Sequence, residues 1–253
     1  MTLMHSRPAF ITMPIHVRAA DFGHVLVLID YHSGRVQGLI PAAAERFRVA
    51  ARLGRSYPLG KRLCAQLLAA RLLVPTDSAS PWKLIAAHSA RSSWGSTEHA
   101  AGATRPLPVS RQHLLGAASA LIAVSSVKAA GNKRAATARI VRTLQLAMST
   151  ALRPATPEEA YLTVTAIRAA GWYSPGRTAC LEESAAAVLS LAARRLSVTW
   201  CHGVAADPVR MHAWVQTEDG TAVGEPVSTL AYTPVLVIGA HHHHRSRPDH
   251  LDP

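Results

Sequence analysis

The spacing of apolar residues changes from helical to strand-like after Arg195, which constrains the second half of the chain to a mixed fold. Before that point, Thr156-Pro157-Glu158-Glu159 is typical of a helix start. A capping hydroxyl is followed there by proline and by carboxylates, which favour the positive end of the helix dipole. We predict helices over residues 110–127, 134–149, 156–170 and 179–195, followed by strands over residues 196–204, 212–217 and 221–223.

A second α+β pattern lies closer to the N-terminus. His32-Ser33-Gly34 predicts a hairpin turn between two aliphatic segments, Pro41 suits the first turn of a helix, and Gly54 suits its end. The predicted strands cover residues 16–20, 24–31 and 35–40, and the predicted helices cover residues 41–54 and 59–71. This order predicts a winged-helix-like domain with a three-stranded sheet plus helices, ahead of a second α+β domain.

Composition divides the chain further. We predict that residues 12–75 form the first domain and that residues 110–240 form the second. Between them, residues 76–109 are rich in Ser, Ala, Thr, Gly and Pro, which predicts a linker with one short helix near residues 81–90. The His-rich residues 241–253 are predicted to be a disordered tail without a native role.

Charge and hydropathy narrow the function classes. The chain is 49% hydrophobic and 17% charged, which predicts a globular protein. Its net charge is +12, with 13 basic against 5 acidic residues in the first 110 positions, which favours an anionic partner. The longest uncharged apolar stretch, residues 114–127, is too short to span a bilayer. Three scattered cysteines fit a reducing compartment, so we predict a cytoplasmic protein without an integral membrane segment.

Cys180 opens an apolar helix after a turn, and this is the strongest chemical signal in the chain. The positive end of a helix lowers the pKa of a thiol, and the free backbone N–H groups there point to where an oxyanion would develop. A buried structural cysteine is the commoner fate of a lone Cys. A nucleophile therefore needs a base elsewhere in the fold.

His212 is the candidate base. It begins a predicted strand, H-A-W-V, and shares one face with Trp214, which we expect to contribute to substrate binding. A carboxylate is needed to hold the imidazole in the correct tautomer. Glu225 is the best placed, on what we predict to be the next strand, whereas Glu218 and Asp219 fall in the predicted turn.

Other motifs predict no cofactor or metal. Cys201-His202 lacks a second ligand pair at metal spacing, so we predict a core strand position for it. No glycine-rich phosphate-binding loop or dinucleotide fingerprint is present in the sequence.

Together these motifs resemble the leader peptidase, or B protein, of lasso peptide biosynthesis, in the form that fuses precursor recognition and peptidase domains. The resemblance rests on the order and spacing of four motifs and of the hairpin L-I-D-Y-H-S-G-R-V. The motifs are C-L-E-E-S at Cys180, H-A-W-V at His212, V-G-E ending at Glu225, and Y-T-P at Tyr232.

The resemblance implies a papain- or transglutaminase-like cysteine peptidase. Cys180 would attack the carbonyl at the leader–core junction, His212 would shuttle the proton, and Glu225 would orient His212. The family more often has aspartate at the third position, and Gln216 stands where glutamate is common. Asp219 is the alternative third member.

The resemblance also implies that the first domain binds the leader as an added strand. We expect the strand at residues 35–40 and the helix at residues 59–71 to form the binding groove, with cationic side chains meeting leader carboxylates. The expected contacts are Arg35, Val36, Gln37, Leu39, Lys61, Arg62 and Arg71. A solvated helix face is an equally good interpretation of the three helix cations.

Partners and alternatives follow from these interpretations. The expected partners are the precursor leader peptide and an asparagine-synthetase-like lasso cyclase, with no nucleic acid. The alternatives are a non-catalytic precursor adaptor, a winged-helix nucleic-acid-binding protein, and an amide-transferring transglutaminase. The adaptor predicts that maturation survives loss of Cys180, and the nucleic-acid binder predicts a steep salt dependence of affinity.

Overall fold

The computed structural model describes residues 7–87, 108–174, 178–206 and 208–239. The chain divides into two compact units, Met1–His88 and Ser89–Pro253, which are described separately. Each unit combines helices with strands, so the fold is mixed α+β. No helix within the described ranges has the length and apolar character needed to cross a membrane.

The first unit follows the predicted order of strands and helices closely. Pro41 opens α1, and Gly54 ends it in the left-handed conformation, where an added Cβ would lie 2.4 Å from the backbone nitrogen of Ser80. Its elements are β1 (Phe10–Thr12), β2 (Val17–Asp21), β3 (Leu26–Asp30), β4 (Arg35–Leu39), α1 (Pro41–Leu53), α2 (Gly60–Ala69), β5 (Val74–Thr76) and β6 (Ile85–Ala86).

The sheet of this unit differs from the three-stranded prediction. It has four strands in the order β4-β3-β2-β6, with β6 parallel to β2, and β1 forms a separate antiparallel pair with β5. Residues 76–87, predicted as linker with a short helix, instead carry the end of β5 and all of β6. Trp82 packs edge-on against Phe47 of α1, which fixes this segment to the core. The rest of the predicted linker, residues 88–107, and the tail lie outside the described residues.

The second unit is built around a buried helix. Its elements are α3 (Arg111–Ala129), α4 (Ala136–Met148), β7 (Arg153–Pro154), α5 (Pro157–Trp172), α6 (Cys180–Ala193), β8 (Leu196–Ser197), β9 (Thr199–Ala205), β10 (Arg210–Gln216) and β11 (Thr233–Ile238). Small side chains such as Ala185 and Ala186 let α6 contact α3, α4, α5 and β10 together. Thr156 caps α5 as predicted, and Glu159 completes a capping box with it.

The sheet of this unit has the order β10-β9-β11, all antiparallel. The predicted strand at residues 196–204 is split into β8 and β9. The predicted strand at residues 221–223 is wrong, because only Ala222 forms an isolated bridge, to Gln216. The third strand of the sheet is β11, which pairs with the other edge of β9 and was not predicted.

Candidate active site

Cys180 is the first residue of α6. Its N-cap, Ala179, is in extended conformation, and no side chain caps the helix. The thiol is free and half-buried, unlike Cys64 and Cys201, which are buried. The first backbone N–H groups of α6 have no partner within their own helix, as at any helix start. Cys180 therefore combines partial solvent access with a position at the N-terminus of a helix.

His212 lies on β10, opposite Gly203 of β9. Its side chain is only 7% exposed. The imidazole stacks on Trp214 at an interplanar angle of 13° and contacts the ring of Tyr232, with a centroid distance of 5.3 Å. Aromatic rings on two sides thus restrict the orientation of the imidazole.

The structure brings Cys180, His212 and Glu225 into one hydrogen-bonded chain. Nε2 of His212 lies 2.7 Å from Oε2 of Glu225, and the thiol of Cys180 is hydrogen-bonded to the same imidazole. Burial alone would lower the pKa of His212, but the hydrogen bonds to Cys180 and Glu225 outweigh it and raise that pKa to about 9.

Glu225 reaches His212 from a loop and not from the predicted strand. Gly224, at φ +64°, turns the chain before it, and the Glu225 side chain is 5% exposed. Its carboxylate accepts hydrogen bonds from His212, Arg168 and Thr229. Burial would raise the pKa of Glu225, but these contacts outweigh burial and lower it. The carboxylate is therefore held as an anion beside the imidazole.

Asp219, the alternative third member, is engaged elsewhere. Its carboxylate accepts hydrogen bonds from the hydroxyls of Thr217 and Thr221 in the turn after β10, at 2.6 and 2.7 Å. These bonds lower the pKa of Asp219 to about 2. Glu225, and not Asp219, is the carboxylate beside His212.

Two charged residues at this site were missed by sequence reasoning. Arg168 of α5 donates to the carboxylate of Glu225 and to the carbonyl of Gly224. Glu183 of α6 accepts from Thr178 at 2.7 Å, and burial raises its pKa. A lone arginine in an otherwise apolar helical segment was the available signal for Arg168. Its position in sequence does not reveal which carboxylate it meets.

Trp214 shares the strand face of His212, as predicted, but it is buried. It is 1% exposed and supports His212 from below, so a bound substrate would not reach it. Gln216 is also buried, and its amide oxygen accepts from the thiol of Cys201 at 3.3 Å. Burial raises the pKa of Cys201 to about 12 and, helped by the charge of His212, lowers that of His202 to about 4. Among the described residues, no group of three His, Cys, Asp or Glu side chains is arranged to hold a metal.

The predicted recognition residues lie in the first unit. β4 is an edge strand, and no other described strand pairs with its outer side. Arg35 is exposed, and Val36 and Gln37 are half-buried. Leu39 is 3% exposed and packs in the core, so only its backbone is available to a ligand.

The cations near α2 do not form a single cluster. Lys61 and Arg62 are exposed in its first turn, whereas Arg71 follows its end at φ +56°. Ten residues of helix separate these ends by about 15 Å. One carboxylate therefore cannot contact all three side chains.

One family comparison covers most of the second unit. Residues 120–237 match the family model described as transglutaminase-like superfamily, so the second unit carries a transglutaminase-like domain. This superfamily includes cysteine peptidases and related enzymes. No curated protein and no solved structure matched the chain.

Proposed function

We propose that this protein is a cysteine peptidase that binds the leader of a ribosomally made lasso precursor and cleaves it at the leader–core junction before cyclisation. The observation that carries the proposal is the hydrogen-bonded chain from Cys180 through His212 to Glu225. A thiolate beside an imidazolium is a nucleophile matched with a proton donor, as acyl transfer requires.

The chemistry proceeds in two stages. The thiolate of Cys180 attacks the scissile carbonyl, and the oxyanion that forms lies near the N–H groups at the start of α6. His212 gives its proton to the leaving amine, so that a thioester and a free amine result. His212 then takes a proton from water, which attacks the thioester and releases the leader acid and the thiol. Glu225 stays ionised and stabilises the imidazolium throughout.

The first unit supports the recognition half of the proposal. We interpret it as winged-helix-like, with β4 offering unpaired backbone groups to an extended peptide. Arg35 at the start of β4, and Lys61 and Arg62 on α2, supply positive charge for an acidic leader. An asparagine-synthetase-like cyclase would take the released core, whose new amino terminus is the group that cyclisation consumes.

Mass spectrometry of a precursor peptide encoded beside this gene tests the proposal. The wild-type protein should release leader and core, and Cys180→Ala should release neither. Cys201→Ala is the matched control, because its thiol is buried and bonded to Gln216, and it should retain cleavage. Full maturation by Cys180→Ala would indicate the adaptor instead. Incorporation of an added primary amine at the cleaved bond would indicate amide transfer.

A further inference from the structure

We infer that Arg168 is a positioning residue, which holds Glu225 ionised and aimed at His212. This inference rests on the proposed function for its catalytic consequence, but its geometry stands independently. Arg168 lies on α5, outside the motifs that suggested the site, and its side chain contacts Gly224, Glu225 and Glu183.

The Arg168 guanidinium donates two hydrogen bonds to the loop that contains Gly224 and Glu225. One terminal nitrogen donates to the carbonyl of Gly224, and the other donates to Oε1 of Glu225. His212 occupies the other carboxylate oxygen, Oε2, and Thr229 donates to the same oxygen at 3.1 Å. Both oxygens of the Glu225 carboxylate therefore accept hydrogen bonds from different donors, and rotation of the carboxylate would break several of these bonds at once.

The backbone at Gly224 has a left-handed conformation that brings its carbonyl to Arg168. Gly224 has φ +64°, and an added Cβ would lie 3.2 Å from the Arg168 guanidinium. The positive φ favours glycine at this position, and a Cβ there would also displace the guanidinium by a few tenths of an ångström. The turn at Gly224 carries Glu225 from a non-strand segment to the imidazole on β10.

Charge balance gives Arg168 a second role. The titratable and charged groups facing Glu225 are His212 from β10, Glu183 from α6, Arg168 from α5, and Tyr232. The Glu183 carboxylate lies 4.0 Å from Nε of Arg168, so one arginine stands between two largely buried acids. Without that cation the two carboxylates repel, and protonation of Glu225 becomes easier.

The consequence is a measurable property of the thiol. Glu225 stabilises the imidazolium, and the imidazolium stabilises the thiolate of Cys180. If Glu225 takes up a proton at a higher pH, the imidazolium beside Cys180 loses its counter-charge at that higher pH. Arg168 thus acts on the thiol indirectly, through Glu225 and His212.

Alkylation by iodoacetamide across pH tests this in the full-length chain, with the labelled cysteine identified by peptide mass mapping. Arg168→Gln keeps a donor for Gly224 but loses the charge, and it should move the acidic limb of Cys180 alkylation up by about one pH unit. Arg168→Lys keeps the charge and should leave the limb within about 0.3 units of wild type. Arg194→Met is the control, because its guanidinium pairs with Glu159 and not with the site, and it should leave the limb unchanged.

Precursor cleavage supplies the second measurement. Arg168→Lys loses the paired hydrogen bonds of the guanidinium, so kcat should fall about 10-fold while KM stays within about twofold. An Arg168→Gln limb that coincides with wild type, while Glu225→Gln moves it, would overturn the inference. If Arg168→Gln does not fold, the kinetics of Arg168→Lys test the inference: a fall in kcat with an unchanged KM supports it, and an unchanged kcat contradicts it. If Arg168→Gln shifts the alkylation limb but the wild-type protein cleaves no precursor, the proposed function is rejected. The positioning role of Arg168 is then still supported.

Discussion

Gly203 lies directly against the indole ring of Trp214: an added Cβ would meet ring carbon Cη2 at 2.7 Å and the carbonyl oxygen of Thr233 at 2.9 Å. Gly203 is also the β9 residue opposite His212. The glycine therefore makes room for the ring on which the imidazole stacks, between two neighbouring strands. A side chain at this position would disturb the support of His212 before it disturbed anything else in the sheet.

Gly203→Ala should destabilise the protein and slow the reaction together. The methyl group has no space, so the free energy of unfolding should fall by about 1–3 kcal/mol. Gly116→Ala on α3 is the control, since an added Cβ there meets nothing within 4 Å and α3 carries none of the proposed site residues. Thermal unfolding and cleavage rates of both variants check this. Equal stability of the two would contradict the tight contact.

Glu225→Gln should lower kcat by about 10²- to 10⁴-fold with little change in KM, because an amide cannot stabilise the imidazolium. Asp219→Asn is the control, as the Asp219 carboxylate accepts from the hydroxyls of Thr217 and Thr221 and from the backbone N–H of Thr221, all within the turn. Its kcat should stay within about twofold. Steady-state cleavage kinetics distinguish the two. A larger loss in Asp219→Asn would reverse the assignment of the carboxylate.

The pairing of His212 should make stability depend on pH. The folded-state pKa of about 9 exceeds the ordinary 6.5, so this contribution is complete below 6.5 and is lost as pH rises through 9. The Glu225 carboxyl has a lowered pKa, so its contribution is present above 4.5 and lost at more acidic pH. Relative to His212→Gln, wild type should lose on the order of 2 kcal/mol between pH 6.5 and 9. Urea unfolding of both proteins measures the difference, and parallel curves would argue against it.

Peptide binding at β4 should depend on an outward-facing backbone N–H. In an antiparallel edge strand these groups alternate, so Val36→Pro and Gln37→Pro remove one outward N–H and one ladder N–H. One variant should lose leader affinity at least about 10-fold with little loss of stability, and the other should mainly lose stability. Fluorescence anisotropy with a labelled leader, paired with thermal unfolding, separates them. Full affinity in both folded variants would exclude strand addition at β4.

Local sequence patterns were sufficient to predict most helices and strands of this protein. Pro41 and Gly54 bracket α1, Thr156 caps α5, and the helix that begins at Cys180 follows from its apolar sequence. These signals act within a few residues, because capping bonds and backbone preferences involve near neighbours. Pairings between distant segments were missed: β6 joins β2, and β11 joins β9.

The candidate active site also combines features that local sequence predicts with features that depend on distant contacts. Local periodicity was enough to predict that a thiol opens a helix and that an imidazole lies on a strand. Three further features follow only from how distant segments pack: Glu225 reaches His212 from a loop, Arg168 binds that loop, and Trp214 is buried against the imidazole. Strand alternation tells which residues share a face, but which face is covered depends on segments that are remote in sequence.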